Sequence, residues 1–292
     1  MRKFVVDESQ DNKKIVRVLT GEFPEIPLGA VYKTLRNKDV KINGVRIKED
    51  IFVKKGDFIE IYIDERILVT DTPIDIVYED ENIIIVNKPQ GLKVHPDKES
   101  NTGSLIELLE EKYGKNVYLC HRIDRNTGGL LIVSKKQDLT GLVSEKIKNS
   151  EIVKIYRCRV HGQIKDKHKE FVAYHQKNSK ESLVYISDEM KPKSSKIITI
   201  CDLLRYDRKT DTSIVDITLI TGKTHQIRAH MAHIGHPIVG DGKYGNNEAK
   251  KRLGEKHKYQ ELYAYKLIFD FSTHAGKLDY LKGTTVQINI PI

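Results

Sequence analysis

Apolar residues recur along this chain in two alternating periods. Leu28, Val31, Tyr32 and Leu35 fall at i, i+3, i+4 and i+7, the stripe of a short helix, with Lys33 and Arg36 together off that stripe. From Val40 to Ile47 the period drops to two on either side of Asn43-Gly44, a dipeptide suited to the positive φ angles of a tight hairpin. The pattern predicts a hairpin with Val40, Ile42, Val45 and Ile47 inward and Lys41, Arg46 and Lys48 outward. Gly56-Asp57 then turns the chain into an alternating strand, Phe58 to Ile63.

A different texture follows. Ile83 to Val86 reads as a buried strand, and Lys88-Pro89-Gln90-Gly91 as a turn after it. Thr102 is placed to cap a helix striped by Leu105, Leu108 and Leu109 and ended by Gly114. A second helix is predicted over 137–148, then strands over 152–160, 196–203, 213–221, 262–271 and 285–290, with the lysine-rich 165–196 as a loop. Helices and strands without a repeating βαβ rhythm predict an α+β fold. Residues 66–75, polar and aperiodic with Thr70, Thr72 and Pro73, read as a linker between a small domain, 1–65, and a large one, 76–292.

Composition narrows the class. At 292 residues, 39% hydrophobic and 31% charged, the chain is neither collagen-like nor globally disordered. Its longest apolar runs are strand-sized, so no membrane partner is expected, and Met1 to Asp7 is too short and polar for a signal peptide, so a cytoplasmic location is. Cys120, Cys158 and Cys201 form no C-x-x-C pair and read as reduced and structural. The net charge of +9 favours a polyanionic partner. Residues 1–65 carry 13 basic against 12 acidic residues, +1, which leaves +8 on residues 66–292. Within the small domain, however, Lys33 to Lys48 holds six basic residues against Asp39 alone.

The stretch YKTLRNKDVKINGVRIKEDIFVKKGDFIEI, from Tyr32, resembles the small RNA-binding domain named after ribosomal protein S-four, a basic helix followed by a "V-x-(I/V)-N-G" hairpin. The resemblance implies that Lys33, Arg36, Lys41 and Arg46 clamp structured RNA through its backbone.

Several motifs fail on context. Gly240-Asp241-Gly242-Lys243-Tyr244-Gly245 fits G-x-G-x-x-G but lacks the flanking strand and helix of a nucleotide site. Gly222-Lys223-Thr224 has Ile217 where a phosphate loop needs glycine. His225, His230, His233 and His236 crowd one segment without H-E-x-x-H or a cysteine pair, so no metal is expected. Asp124 stands apart: one acid between Arg122 and Arg125, before Gly128-Gly129 and a buried apolar strand, is a carboxylate in a positive field or simply an ion-paired turn.

Three blocks resolve that choice: NKPQGLKVHP from Asn87, HRIDRNTGGLLIVSKK from His121, and TGKTHQIRAHMAHIGHPIVGDGKYG from Thr221. With the strand KIYRCRV from Lys154, they resemble, over almost the whole chain, the large-subunit-RNA pseudouridine synthases of the RluA/RluC/RluD type. That resemblance implies the pseudouridine synthase fold, with a mixed, mainly antiparallel sheet, and no cofactor. It aligns Asp124 with the catalytic acid, Tyr156 with the active-site aromatic and Arg228 with the basic partner of the acid, in a pair that could be bidentate. Arg122, Lys88 and His95 are candidates for holding the opened RNA strand. The implied partner is structured RNA, large-subunit ribosomal RNA first, transfer RNA as the alternative, with the protein a monomer. The rivals are a non-catalytic ribosome-assembly protein and a metal-dependent nuclease built on the histidine segment.

Overall fold

In a computed structural model the chain is described over residues 1–24, 26, 28–62, 74–96, 103–178, 181, 183–245 and 257–292, apart from the side chains of 28, 29 and 33. It forms two compact units, one within Met1–Pro73 and the other built on Ile74–His95 and Ser104–Ile292. No described helix is long and apolar enough to cross a membrane. Of the expected linker, residues 66–73 lie outside the described residues, and Asp75 already opens a strand.

The first unit runs β1 (Arg2–Val5), α1 (Ile15–Glu22), α2 (Leu28–Arg36), β2 (Val40–Ile42), β3 (Val45–Ile47) and β4 (Phe58–Ile61), with an antiparallel sheet in the order β1-β4-β2-β3. Asn43 and Gly44 take φ of 50° and 82°, as a two-residue hairpin turn requires. The Asn43 side chain accepts from the Phe58 amide and donates to Asp57, which ties the turn to the next strand. Ile15, Leu19, Val31, Leu35, Val40, Ile59 and Ile61 make the core. Val45 corrects the expected inward set: it is 68% exposed, because it sits at the hairpin tip on the outermost strand. The strand expected to reach Ile63 ends at Ile61, and residue 63 lies outside the described residues.

The second unit contains β5 (Asp75–Glu79), β6 (Ile83–Lys88), α3 (Leu105–Tyr113), β7 (Tyr118–Leu119), β8 (Gly128–Ser134), α4 (Gln137–Lys148), β9 (Ile152–His161), β10 (His168–Asn178), β11 (Leu183–Ser187), β12 (Ser195–Asp207), β13 (Thr212–Leu219), α5 (Gln226–His233), β14 (Leu262–Phe269) and β15 (Thr285–Gln287). One sheet runs β11-β10-β12-β13-β9-β14-β8-β6-β5, with β7 on β8 and β15 on β14. β14 is parallel to β8, and the other described pairings are antiparallel. β8 is buried along its whole length because both faces of the sheet are covered. Leu131 and Val133 pack with Leu105, Leu109 and Val86 on one face, and Leu130 and Ile132 with Leu139, Val143 and Phe269 on the other. That two-sided burial is why these strands read as unbroken apolar runs.

Two local expectations change. The cap of α3 is Ser104, whose hydroxyl accepts from the Glu107 amide while Glu107 reaches back to the Ser104 amide; Thr102 lies outside the described residues. The segment 165–196 is not a loop: it carries the antiparallel β10 and β11, and β10 pairs on its other side with β12.

Candidate active site

Asp124 lies in the turn between β7 and β8, and two neighbouring segments, 88–92 and 260–264, hold that turn or the strand it leads into. The Lys88 ammonium, 0% exposed, donates to the carbonyls of Pro89, Leu92 and Arg125 at 2.8–3.0 Å. The Gly91 amide donates to the Arg125 carbonyl, and Arg125 Nε returns a bond to the Gly91 carbonyl, both at 2.9 Å. Gln90 donates to the carbonyls of Asn126 and Gln260 and accepts from the Tyr263 hydroxyl. The glycine pair is set by the parallel strand beside it. Gly129 has φ of 107°, and a Cβ there would lie 2.2 Å from the Ala264 carbonyl oxygen, so β14 can adjoin β8 only over glycine.

Lys88 is thereby corrected as an RNA-holding candidate. With all three donors spent on carbonyls and no exposure, it braces the Asp124 turn from inside. Burial lowers its pKa to about 7, an effect the charge of Asp124 opposes. His95 is exposed and does not line the cavity at Asp124; Arg122 is exposed and does.

Arg228 comes from α5. Its Nη1 donates to Asp124 Oδ2 at 2.9 Å, a single contact. The two-pronged pair expected with Asp124 is made instead with Asp241, where Arg228 Nε meets Oδ2 at 2.7 Å and Nη2 meets Oδ1 at 3.0 Å. Asp241 is fully buried, and its Oδ1 also accepts from the amides of Lys243 and Tyr244. Burial raises the pKa of Asp241, but the hydrogen bonds and charge of Arg228 outweigh it, so the carboxyl stays ionised below its ordinary value. The guanidinium is a fork fixed by one carboxylate and presenting its remaining edge to another, a geometry lysine cannot copy. Asp241 stands both in the failed nucleotide motif and in the third block of the resemblance, which gives it no role. Nothing local marked it, because its partner is thirteen residues away and is brought to it by tertiary packing alone.

His225, with φ of 54°, precedes α5 and places Nε2 3.9 Å from Asp124 Oδ2. Its Nδ1 is 2.8 Å from the Tyr244 hydroxyl, which accepts from the Val184 amide. Burial lowers the His225 pKa despite Asp124, which favours the neutral ring. Tyr156, on β9 between Ile217 of β13 and Ala264 of β14, is 5% exposed. Burial and then the charge of Asp124 push its pKa up, so the phenol stays protonated.

Asp124, Arg228, His225 and Tyr156 line one cavity of about 140 Å³ together with Arg122, Thr127, Lys154, Lys223 and Leu262. That is the volume of about five liquid waters, enough for one pyrimidine ring. The other crowded histidines turn to separate partners: His230 to Thr199, His233 to Asp188 and His236 to the His161 carbonyl. Among the described residues no group of three or more His, Cys, Asp or Glu is placed to hold a metal. β11 and the residue after it contribute support, since Val184 bonds Tyr244 and Asp188 bonds His233 at the end of α5.

In the other unit, Arg36 and Arg46 are exposed. Arg46 donates to the Lys38 carbonyl, and the Lys41 ammonium to the Tyr62 hydroxyl over whose ring it lies. The side chain of Lys33 lies outside the described residues.

Comparison with known proteins shows the family. A family model described as RNA pseudouridylate synthase matches residues 82–233. The chain is 33% identical over 276 residues to the ribosomal large subunit pseudouridine synthase C of Buchnera aphidicola subsp. Acyrthosiphon pisum, covering 88% of this chain and 85% of that protein. It is 31% identical to the mitochondrial tRNA pseudouridine(32) synthase of Saccharomyces cerevisiae, over 85% of this chain and 53% of that one. The solved structure of human RNA pseudouridylate synthase domain containing 1 shares the fold, with a TM-score of 0.60 at 22% identity over 75% of this chain and 84% of that one.

Proposed function

The chain belongs to the RNA pseudouridylate synthase family and is an RNA pseudouridine synthase, and from that premise we propose that Asp124 is its catalytic carboxylate, Arg228 the group that holds it, Tyr156 the face for the uracil, and large-subunit ribosomal RNA its substrate. The observation that carries the residue roles is the Arg228 Nη1 to Asp124 Oδ2 contact of 2.9 Å in a cavity of one-ring size.

The reaction is an isomerisation. The N1–C1′ bond of uridine breaks, C5–C1′ forms, C5 gives up its proton and N1 gains one, so neither an oxidant nor a group donor is needed. A carboxylate serves this chemistry by covalent attack at C1′ or C6, as a base at C2′, or by stabilising cationic character at the sugar. Arg228 holds it in place through the Nη1 contact. The Tyr156 ring offers a stacking surface, and its protonated hydroxyl is suited to proton traffic at C5. The base must leave its stack to enter, at a cost of a few kcal/mol, which Arg122 at the cavity edge helps offset by holding the opened strand. In the first unit, Arg36, Lys41 and Arg46 supply a sequence-independent hold on the RNA backbone.

Transfer RNA is the second reading, supported by the similarity to the yeast mitochondrial enzyme. Pseudouridine mapping of total cellular RNA, with and without the gene and with an Asp124→Asn allele, tests both. Loss of sites in large-subunit RNA in the null and the Asn allele alike supports the proposal. Loss confined to transfer RNA selects the alternative, and full modification by the Asn allele removes Asp124 from the chemistry.

A further inference from the structure

Beyond one wall of the Asp124 cavity lies a second and larger one, of about 710 Å³. The two share Arg122, Lys154, Leu219, Gly222 and Lys223. The second is closed on its other sides by the end of α4, the start of β9 and the end of β13. Among its lining residues four side chains are cationic, Arg122, Lys148, Lys154 and Lys223, and none is acidic. Charges of one sign facing one cleft repel each other and concentrate a positive field there.

Two groups on this wall lack an internal counterpart. Lys154 has no ion pair among the described residues, and burial alone lowers its pKa to about 8. His121 Nε2 accepts the Ile132 amide, while its buried Nδ1 has no hydrogen-bond partner. The carbonyls at the end of α4 do not offset the field, since the amides of Asn149, Ser150 and Glu151 already bond Glu145, Ile147 and Lys146, with Ser150 left-handed at φ of 59°. The remaining wall is aliphatic, with Ile147, Ile152, Val153 and Ile220. A bare anion would leave that wall unused, and an apolar ligand would leave the cations unpaired. A nucleotide uses both.

We propose that the second cavity is a subsite for a nucleotide adjoining the target uridine on the same RNA strand, with its phosphodiester held by Lys148 and Lys154 and its base laid against Ile147 and Ile220. The shared wall of Arg122, Lys154 and Leu219 then stands between consecutive units of one strand. The proposal rests on the reading of the Asp124 cavity as the uridine site.

Lys148 lines only the second cavity and is exposed, so it can be changed without disturbing Asp124 or the core. The test uses the full-length protein and the RNA stem-loop identified by mapping, synthesised with single uncharged methylphosphonate linkages at each position flanking the uridine. In the native protein one linkage should weaken RNA binding about five-fold when neutralised, with the single-turnover rate at saturation held. In Lys148→Glu, binding of unmodified RNA should fall by about ten-fold or more, and neutralising that same linkage should now cost nothing or strengthen binding. Equal effects of the linkage in both proteins overturn the subsite, as does a flat scan. If the native protein forms no pseudouridine in the stem-loop, the uridine-site reading fails instead, so the two failures are distinguishable.

Discussion

Exchanging Asp241 for asparagine removes one charge from the interior while leaving its shape almost unchanged. Among the described residues Oδ1 accepts three donors, Arg228 Nη2 and the amides of Lys243 and Tyr244, while Oδ2 accepts only Arg228 Nε. The asparagine NH₂ therefore takes the Oδ2 position, where it meets Nε donor to donor. One charge-assisted hydrogen bond is lost, worth about 1.5–3 kcal/mol, and a repulsive contact replaces it. For a unit of this size such a loss lowers the melting temperature by about 5–10 °C. The guanidinium, now matched by Asp124 alone, is free to move toward it, and a displacement of order 1 Å in a positioned group costs about a hundred-fold in rate. The expected single-turnover rate of Asp241→Asn is therefore about 10- to 100-fold below native, measured as tritium release from RNA labelled at uridine C5. Its RNA affinity should stay within about two-fold, because Asp241 is 0% exposed and cannot meet the substrate. A variant that melts lower yet reacts at the native rate would refute the idea that Asp241 aims Arg228 at Asp124.

Lys88→Met should act on stability rather than on RNA. Three carbonyls lose their buried donor, a cost of about 3 kcal/mol or more, read as a lower melting temperature with an unchanged salt slope of RNA binding. A native melting point with a slope reduced by about one unit would return Lys88 to the RNA surface. Replacing Arg36, Lys41 and Arg46 together with alanine should weaken binding to a long structured RNA and flatten its salt dependence by up to about three units, with the saturated single-turnover rate held. An untouched slope would leave this patch a solvated face.

Much of the chain was legible because local rules suffice for it. The period-two alternation around Asn43-Gly44 needs only hairpin stereochemistry, and α4 over Gln137–Lys148 was readable from its apolar stripe. Asp124 was conspicuous as an acid between arginines ahead of two glycines, and its tie to Arg228, 104 positions on, came from the resemblance of whole motifs. What stayed hidden depends on which surfaces meet in space. Val45 alternates like its neighbours but falls on an edge where nothing covers it. Lys88 looks like any basic residue near a turn until three carbonyls converge on it and water is excluded. Residues 165–196 read as loop because their alternation is broken by lysines, which a strand tolerates wherever its outer face meets solvent. Arg228 itself could be named from its motif, but a motif does not say how a fork divides its edges. Sequence alone determined which charges and which elements were available. Only the packing of α5 against the sheet decided that a buried Asp241 would take the two-pronged grip and leave Asp124 a single, aimed hydrogen bond.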